Sequence, residues 1–98
     1  MSLPLVLRAE AQDEFDAAFD YYETQRPGLG AAFAGRVQDV FDRIAANPHL
    51  HALVFADIRR AVVARFPFFV FYRAEPARIQ VIAVFHSRRD PSIWQARA

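Results

Sequence analysis

Phe68-Phe69-Val70-Phe71-Tyr72-Arg73, a turn through Ala74-Glu75-Pro76-Ala77, and then Ile79-Gln80-Val81-Ile82-Ala83-Val84-Phe85-His86 decide the fold. β-Branched and aromatic residues fill both runs, and the polar, proline-bearing turn predicts adjacent antiparallel strands over residues 68–73 and 79–86. Neither run alternates. Phe69 and Phe71 point one way, and Phe68, Val70 and Tyr72 the other. Ile79, Val81, Ala83 and Phe85 oppose Ile82 and Val84. A sheet covered on one side normally shows polar residues on the other. Here both faces are apolar, so each must be covered: one by helices, the other by the C-terminal tail, a self-association contact or a partner.

Shorter strands are expected upstream, at residues 52–55 and 58–64, with Phe66-Pro67 as a bend. Before them lie two amphipathic helices. Ala11, Phe15, Ala18, Phe19 and Tyr22 are spaced i, i+4, i+7, i+8, i+11 within residues 9–24. Phe33, Val37, Val40, Phe41 and Ile44 repeat that spacing within 31–46. Each set forms one helical stripe. Arg26-Pro27-Gly28-Leu29-Gly30 separates them, and Asn47-Pro48 ends the second. The two should form an antiparallel hairpin. Residues 3–7, broken by Pro4, read as a first edge strand. The expected fold is α+β, in the order β-α-α-β-β-β, with the hairpin on a twisted antiparallel sheet and residues 1–98 as a single domain.

A hydrophobic fraction of 54% in 98 residues supplies a full core and argues against disorder. With no cysteine, disulfides and thiolate zinc sites are excluded. No signal-peptide pattern opens the chain and no apolar run reaches membrane-spanning length, so a cytoplasmic protein is expected. Charge is segregated: residues 1–50 carry 4 Arg against 8 acids, and residues 51–98 carry 8 Arg against 3 acids. All twelve basic residues are arginine. This predicts a basic face attractive to an acidic partner or to nucleic acid.

Glu10, Asp13, Glu14 and Asp16 read as the solvated outer face of the first helix. His49-x-His51 lacks the further ligands a metal would need, and no metal or cofactor is expected. Three glycines make no phosphate loop. The basic group is the informative one. Arg59, Arg60, Arg65, Arg73, Arg88 and Arg89 fall on strands or their ends, close in sequence to His86, Tyr72 and Trp94. Such a set suits phosphate binding. With His86 as general acid or base, and arginine stabilising charge, it also suits RNA cleavage.

These residues resemble the RelE/ParE toxin superfamily of bacterial toxin–antitoxin modules over nearly the whole chain. The likeness runs through Phe19-Asp20-Tyr21-Tyr22-Glu23, Pro27-Gly28-Leu29-Gly30, Phe33, Ile44 and Pro48. It is strongest at Ile58-Arg59-Arg60, Arg65-Phe66-Pro67-Phe68, Phe71-Tyr72-Arg73 and Val84-Phe85-His86-Ser87-Arg88-Arg89-Asp90-Pro91 with Trp94. The ParE-like, plasmid-stabilisation branch is the nearest. The resemblance implies a cognate antitoxin whose C-terminal segment wraps the toxin; the assembly expected is a homo-oligomer or a hetero-oligomer with that antitoxin. It implies one of two activities: inhibition of DNA gyrase, or ribosome-dependent cleavage of messenger RNA. Arg88 matches the arginine that RelE-like chains carry after the last strand. Trp94 stands where they have a catalytic tyrosine, and Phe69 where they have a catalytic arginine. The gyrase-inhibitor reading is therefore favoured, with no catalytic residue. A nuclease would rest on His86, Arg88 and Arg60, and a non-toxic antitoxin-binding module is the third reading. The residues expected to meet antitoxin or target are Arg59, Arg60, Arg65, Phe68, Val70, Tyr72, Arg73, His86, Arg88, Arg89 and Trp94.

Overall fold

The apolar stripes and strand runs assemble as two layers in a computed structural model that describes residues 3–98. In chain order the elements are β1 (Leu5–Leu7), α1 (Ala9–Gln25), α2 (Leu29–Ala46), β2 (Leu53–Phe55), β3 (Ile58–Val62), β4 (Phe68–Ala74), β5 (Ile79–His86) and α3 (Ser92–Gln95). The strands form one sheet in the order β1-β5-β4-β3-β2. The pairs β2–β3, β3–β4 and β4–β5 are antiparallel. The expected all-antiparallel sheet is refined at one edge, where β1 runs parallel to β5 with Leu5 opposite Ile79. Ile79 N–H donates to Pro4 O, and Arg8 N–H to Val81 O, so the ladder continues to both ends of β1. No described helix is long and apolar enough to cross a membrane.

The hairpin turn is tighter than the sequence suggests, and α2 starts two residues earlier than residue 31. Gly28 takes φ +88°, a left-handed conformation that glycine adopts without strain. Across the turn, the Glu23 carboxylate accepts from Gly28 N (3.0 Å) and Gly30 N (2.9 Å), capping the free N–H groups of α2. Gly30 is also where the helices touch: a Cβ there would lie 2.8 Å from Phe19 O.

The hairpin covers one face of the sheet, α1 over β5 and α2 over β3. Phe33 sits at the centre, its ring within 5.0–5.8 Å of Phe15, Tyr22, Phe66 and Phe68. Val70, Tyr72, Ile79, Val81 and Val84 complete that core. A β-bulge between Phe71 and Tyr72 shifts the register, pairing Phe71 with Ala83 but Tyr72 with Val81. The shift breaks the strict alternation expected of β5. Ile79, Val81 and Val84 face the helices, while Ile82, Ala83 and Phe85 join Ile58, Phe71 and Trp94 in a second, smaller cluster on the open face.

Candidate functional site

The apolar surplus predicted for the sheet lies on the face bearing Phe69, Phe71 and Phe85. The tail covers part of it. Asp90 Oδ1 accepts from Ser92 N–H, starting α3, and Trp94 then stacks on Phe71 with ring centroids 3.9 Å apart and planes 15° from parallel. Phe55 meets Trp94 edge-on. Arginines border what is left. The Arg60 guanidinium lies 4.9 Å from the centroid of Phe69, and that of Arg89 lies 4.6 Å from the centroid of Phe85. Such cation–π contacts hold the guanidinium planes against the rings and leave their N–H groups available. Between them is a cleft of about 320 Å³ lined by Arg60, Phe69, Phe71, Phe85, His86, Ser87 and Trp94 among others.

One acid anchors this face from behind. Glu14, which the sequence places on the solvated side of α1, instead reaches under the tail, its side chain only 11% exposed. Arg97 grips it through both terminal nitrogens, at 2.9 and 3.0 Å. Arg89 donates to it at 2.6 Å and Val84 N–H at 3.2 Å. Arg97 also donates to Ile82 O, and Arg8 donates to Arg97 O. A bidentate arginine–carboxylate pair this sheltered fixes orientation as well as charge. Glu14 lies three residues after Ala11 and four before Ala18, both buried, so its spacing already placed it beside the core stripe.

The remaining residues named from the sequence have separate fates. Val70 and Tyr72 are fully buried under the helices and have no side-chain surface to offer a partner. Their face is the one the hairpin covers. Tyr72 O–H donates to Pro48 O at 2.7 Å, tying β4 to the end of α2, and burial pushes its ionisation upward. Phe68 is nearly buried and forms a wall of a groove of about 790 Å³ beside α1, which Tyr21, Tyr22, Pro67 and His86 also line. Arg59 turns to the loop before β2 and donates to His51 O (2.6 Å) and His49 O (3.3 Å). Arg73 pairs with Asp57 at 2.7 Å, and that hydrogen bond holds the Asp57 carboxyl below its ordinary range. Arg60, Arg65 and Arg88 are exposed and make no ion pair among the described residues.

His86 borders both hollows. Its ring packs edge-on to Phe68 with centroids 5.2 Å apart, and its Nδ1 accepts from Arg88 N–H at 3.1 Å. In the neutral ring that bond leaves the proton on Nε2. Arg60 is in register with Phe71 on the open face, whereas His86 is in register with Phe68 on the helix side. At the strand end His86 nevertheless borders the cleft that Arg60 lines, whereas Arg88 does not line it, so two of the three nuclease candidates come together there and the third stands apart. No cluster of three metal-ligating side chains occurs among the described residues. His51 is half-buried with its Nε2 unpartnered, and burial, with Arg43 and Arg59 nearby, holds its pKa below 6.5.

A family model described as ParE toxin of type II toxin–antitoxin system, parDE, matches residues 5–91. Trp94 and Arg97 lie beyond that match. Among solved structures, the chain is similar to one described as the chromosomal ParDE TA system from P. aeruginosa. The TM-score is 0.76 at 17% identity, covering 87% of this chain and 96% of that one. At that identity the likeness is one of fold. No curated protein matches the chain significantly.

Proposed function

The chain belongs to the ParE toxin family of type II toxin–antitoxin systems, and from that premise we propose that it is a growth-arresting cytoplasmic toxin, neutralised by a cognate antitoxin and directed at DNA gyrase. The observation that carries the proposal is the make-up of the open face. Aromatic rings and arginines with unused donors meet there, without a facing acid–base pair. That surface suits binding an acidic, apolar segment better than it suits proton transfer. Arg60, Arg88 and Arg89 are its charged contacts, Arg65 flanks them, and Phe69, the one partly exposed ring of that cluster, is the apolar anchor. Phe68 serves the neighbouring groove, and His86 borders both.

Expression without antitoxin should arrest bacterial growth with a DNA-damage response, and the purified protein should block gyrase supercoiling. Arg60→Glu should weaken both effects while leaving thermal stability nearly unchanged, since Arg60 is exposed and unpaired. Undisturbed supercoiling at saturating protein would remove gyrase from the proposal. The nuclease reading rests on His86, whose Nε2–H is free of any described partner beside Arg88. Cleavage of ribosome-bound message that disappears in His86→Ala would establish it instead.

A further inference from the structure

Eight large hydrophobic side chains are exposed among the described residues. Four of them, Leu50, Leu53, Val54 and Phe55, lie on β2 or within three residues of it, and a fifth, Val62, ends the neighbouring β3. Among the described residues β2 is the outermost strand, with no neighbour on its far side, and all three of its residues are exposed. From Asn47 to Ala56 the chain carries no Asp, Glu, Lys or Arg, although such residues make up 23% of the sequence. Edge strands are usually guarded by a charge or a proline. This one is guarded only by its shortness and by the irregular register between Leu53 and Phe55.

We infer that β2 is a self-association edge, across which a second copy of this chain pairs antiparallel about a two-fold axis. The absence of charge selects this occupant. A two-fold contact sets each residue near its own mate, so a charged edge repels itself, whereas a neutral apolar edge is self-complementary. The free guanidinium nearest this edge is that of Arg60, which lies over Phe69 on the open face. The arginine in register with Leu53 is Arg59, and its guanidinium is engaged by the carbonyls of His49 and His51. A patch of this kind measures on the order of a few hundred Å² per copy. That predicts a weak, reversible dimer of the class below about 1,200 Å² in total. Because the dyad between antiparallel strands stands perpendicular to the sheet, the two arginine-bordered faces would lie on one side of the dimer. A bivalent surface for a repeated target would result.

Sedimentation equilibrium on the full chain, from about 1 µM to 1 mM, tests this against the weak-interface range. A reversible monomer–dimer equilibrium is expected. It should change little with salt, because no ion pair is made. Val54→Lys sets two like charges together and should weaken association by about tenfold or more. Leu53→Lys should act the same way. Both positions are exposed, so circular dichroism should show an unchanged fold. Arg60→Glu, on the open face, should leave the dimer intact. A chain that stays monomeric at 1 mM overturns the inference. So does a dimer that survives both lysine variants, or one that Arg60→Glu dissolves.

Discussion

Replacing Glu14 with Ala removes the carboxylate that Arg97, Arg89 and Val84 N–H share. The Arg97 side chain is only 11% exposed and would be left with Ile82 O as its one remaining described acceptor. Breaking a buried ion pair by removing one partner costs about 3–5 kcal/mol. Two facts reduce that figure. Arg89 is 45% exposed, so its share is that of a surface pair, at most about 1 kcal/mol. Arg97 also follows the four-residue α3 and can swing into water if that single turn lets go. A loss of about 2–4 kcal/mol follows, from a total of about 5–15. For a chain this size that is a fall in Tm of roughly 10–25 °C.

Trp94 makes the effect readable, because it is the only tryptophan. In the parent protein it is 4% exposed and stacked on Phe71. In Glu14→Ala its emission should move to the red, and its quenching by acrylamide should rise, under conditions where circular dichroism is still native. Arg97→Ala should give the same signature. The double variant should be little worse than either single one, with a coupling energy of about 1–3 kcal/mol. A Tm change under about 3 °C, with coupling below about 0.5 kcal/mol, would refute the claim that this clasp holds the tail.

Gly30→Ala should cost about 1–3 kcal/mol by forcing the helices apart at Phe19 O, seen as a lower urea midpoint with an unchanged far-ultraviolet spectrum. Tyr72→Phe should cost about 1 kcal/mol in the same titration, because Pro48 O loses its 2.7 Å donor. Acid should weaken the fold in two stages. His51 has a folded-state pKa below 6.5, so the unfolded chain takes up its proton first. Stability should therefore decline as pH falls through about 6.5 and level off below the folded value; in His51→Gln that slope should vanish. Asp57 titrates the opposite way in charge but with the same consequence. Its stabilising pair with Arg73 is complete above the ordinary value of 3.8 and is lost as pH falls through the lower folded value. Urea midpoints measured across pH 8 to 3 read both stages.

The repeating elements are legible in the sequence because period carries the signal. Two stripes with i, i+4, i+7 spacing become α1 and α2, and the apolar runs at residues 68–73 and 79–86 become β4 and β5 almost to their ends. What pattern cannot decide is which face of β4 the helices take, since Phe69 and Phe71 are as apolar as Val70 and Tyr72. Nor does any period announce the bulge that returns Val84 to the helix side. α3 is four residues long, too short to show a stripe. Glu14 reads as solvated because acids crowd its turn, and only its position between Ala11 and Ala18 separates it from the others.

The charge split gains a narrower meaning from these placements. Of the eight arginines in residues 51–98, Arg73, Arg78, Arg89 and Arg97 are ion-paired, and Arg59 binds loop carbonyls. Two of those pairs reach across the molecule to Glu14, so the acidic helical half holds the basic half in place at that point. Among the described residues Arg60, Arg65 and Arg88 remain without an ion pair, and Arg89 keeps donors to spare over Phe85. A surplus of five positive charges in sequence is thus a set of three or four usable guanidiniums in space. A partner that recognises this face must then draw most of its affinity from apolar contact centred on Phe69, with charge setting approach and register. Its binding should weaken only moderately with salt, and should be more sensitive to Phe69→Ala than to the loss of any single arginine. Titrations of antitoxin against Phe69→Ala, Arg60→Ala and Arg88→Ala at two ionic strengths would show the reverse order if long-range charge supplied most of the affinity.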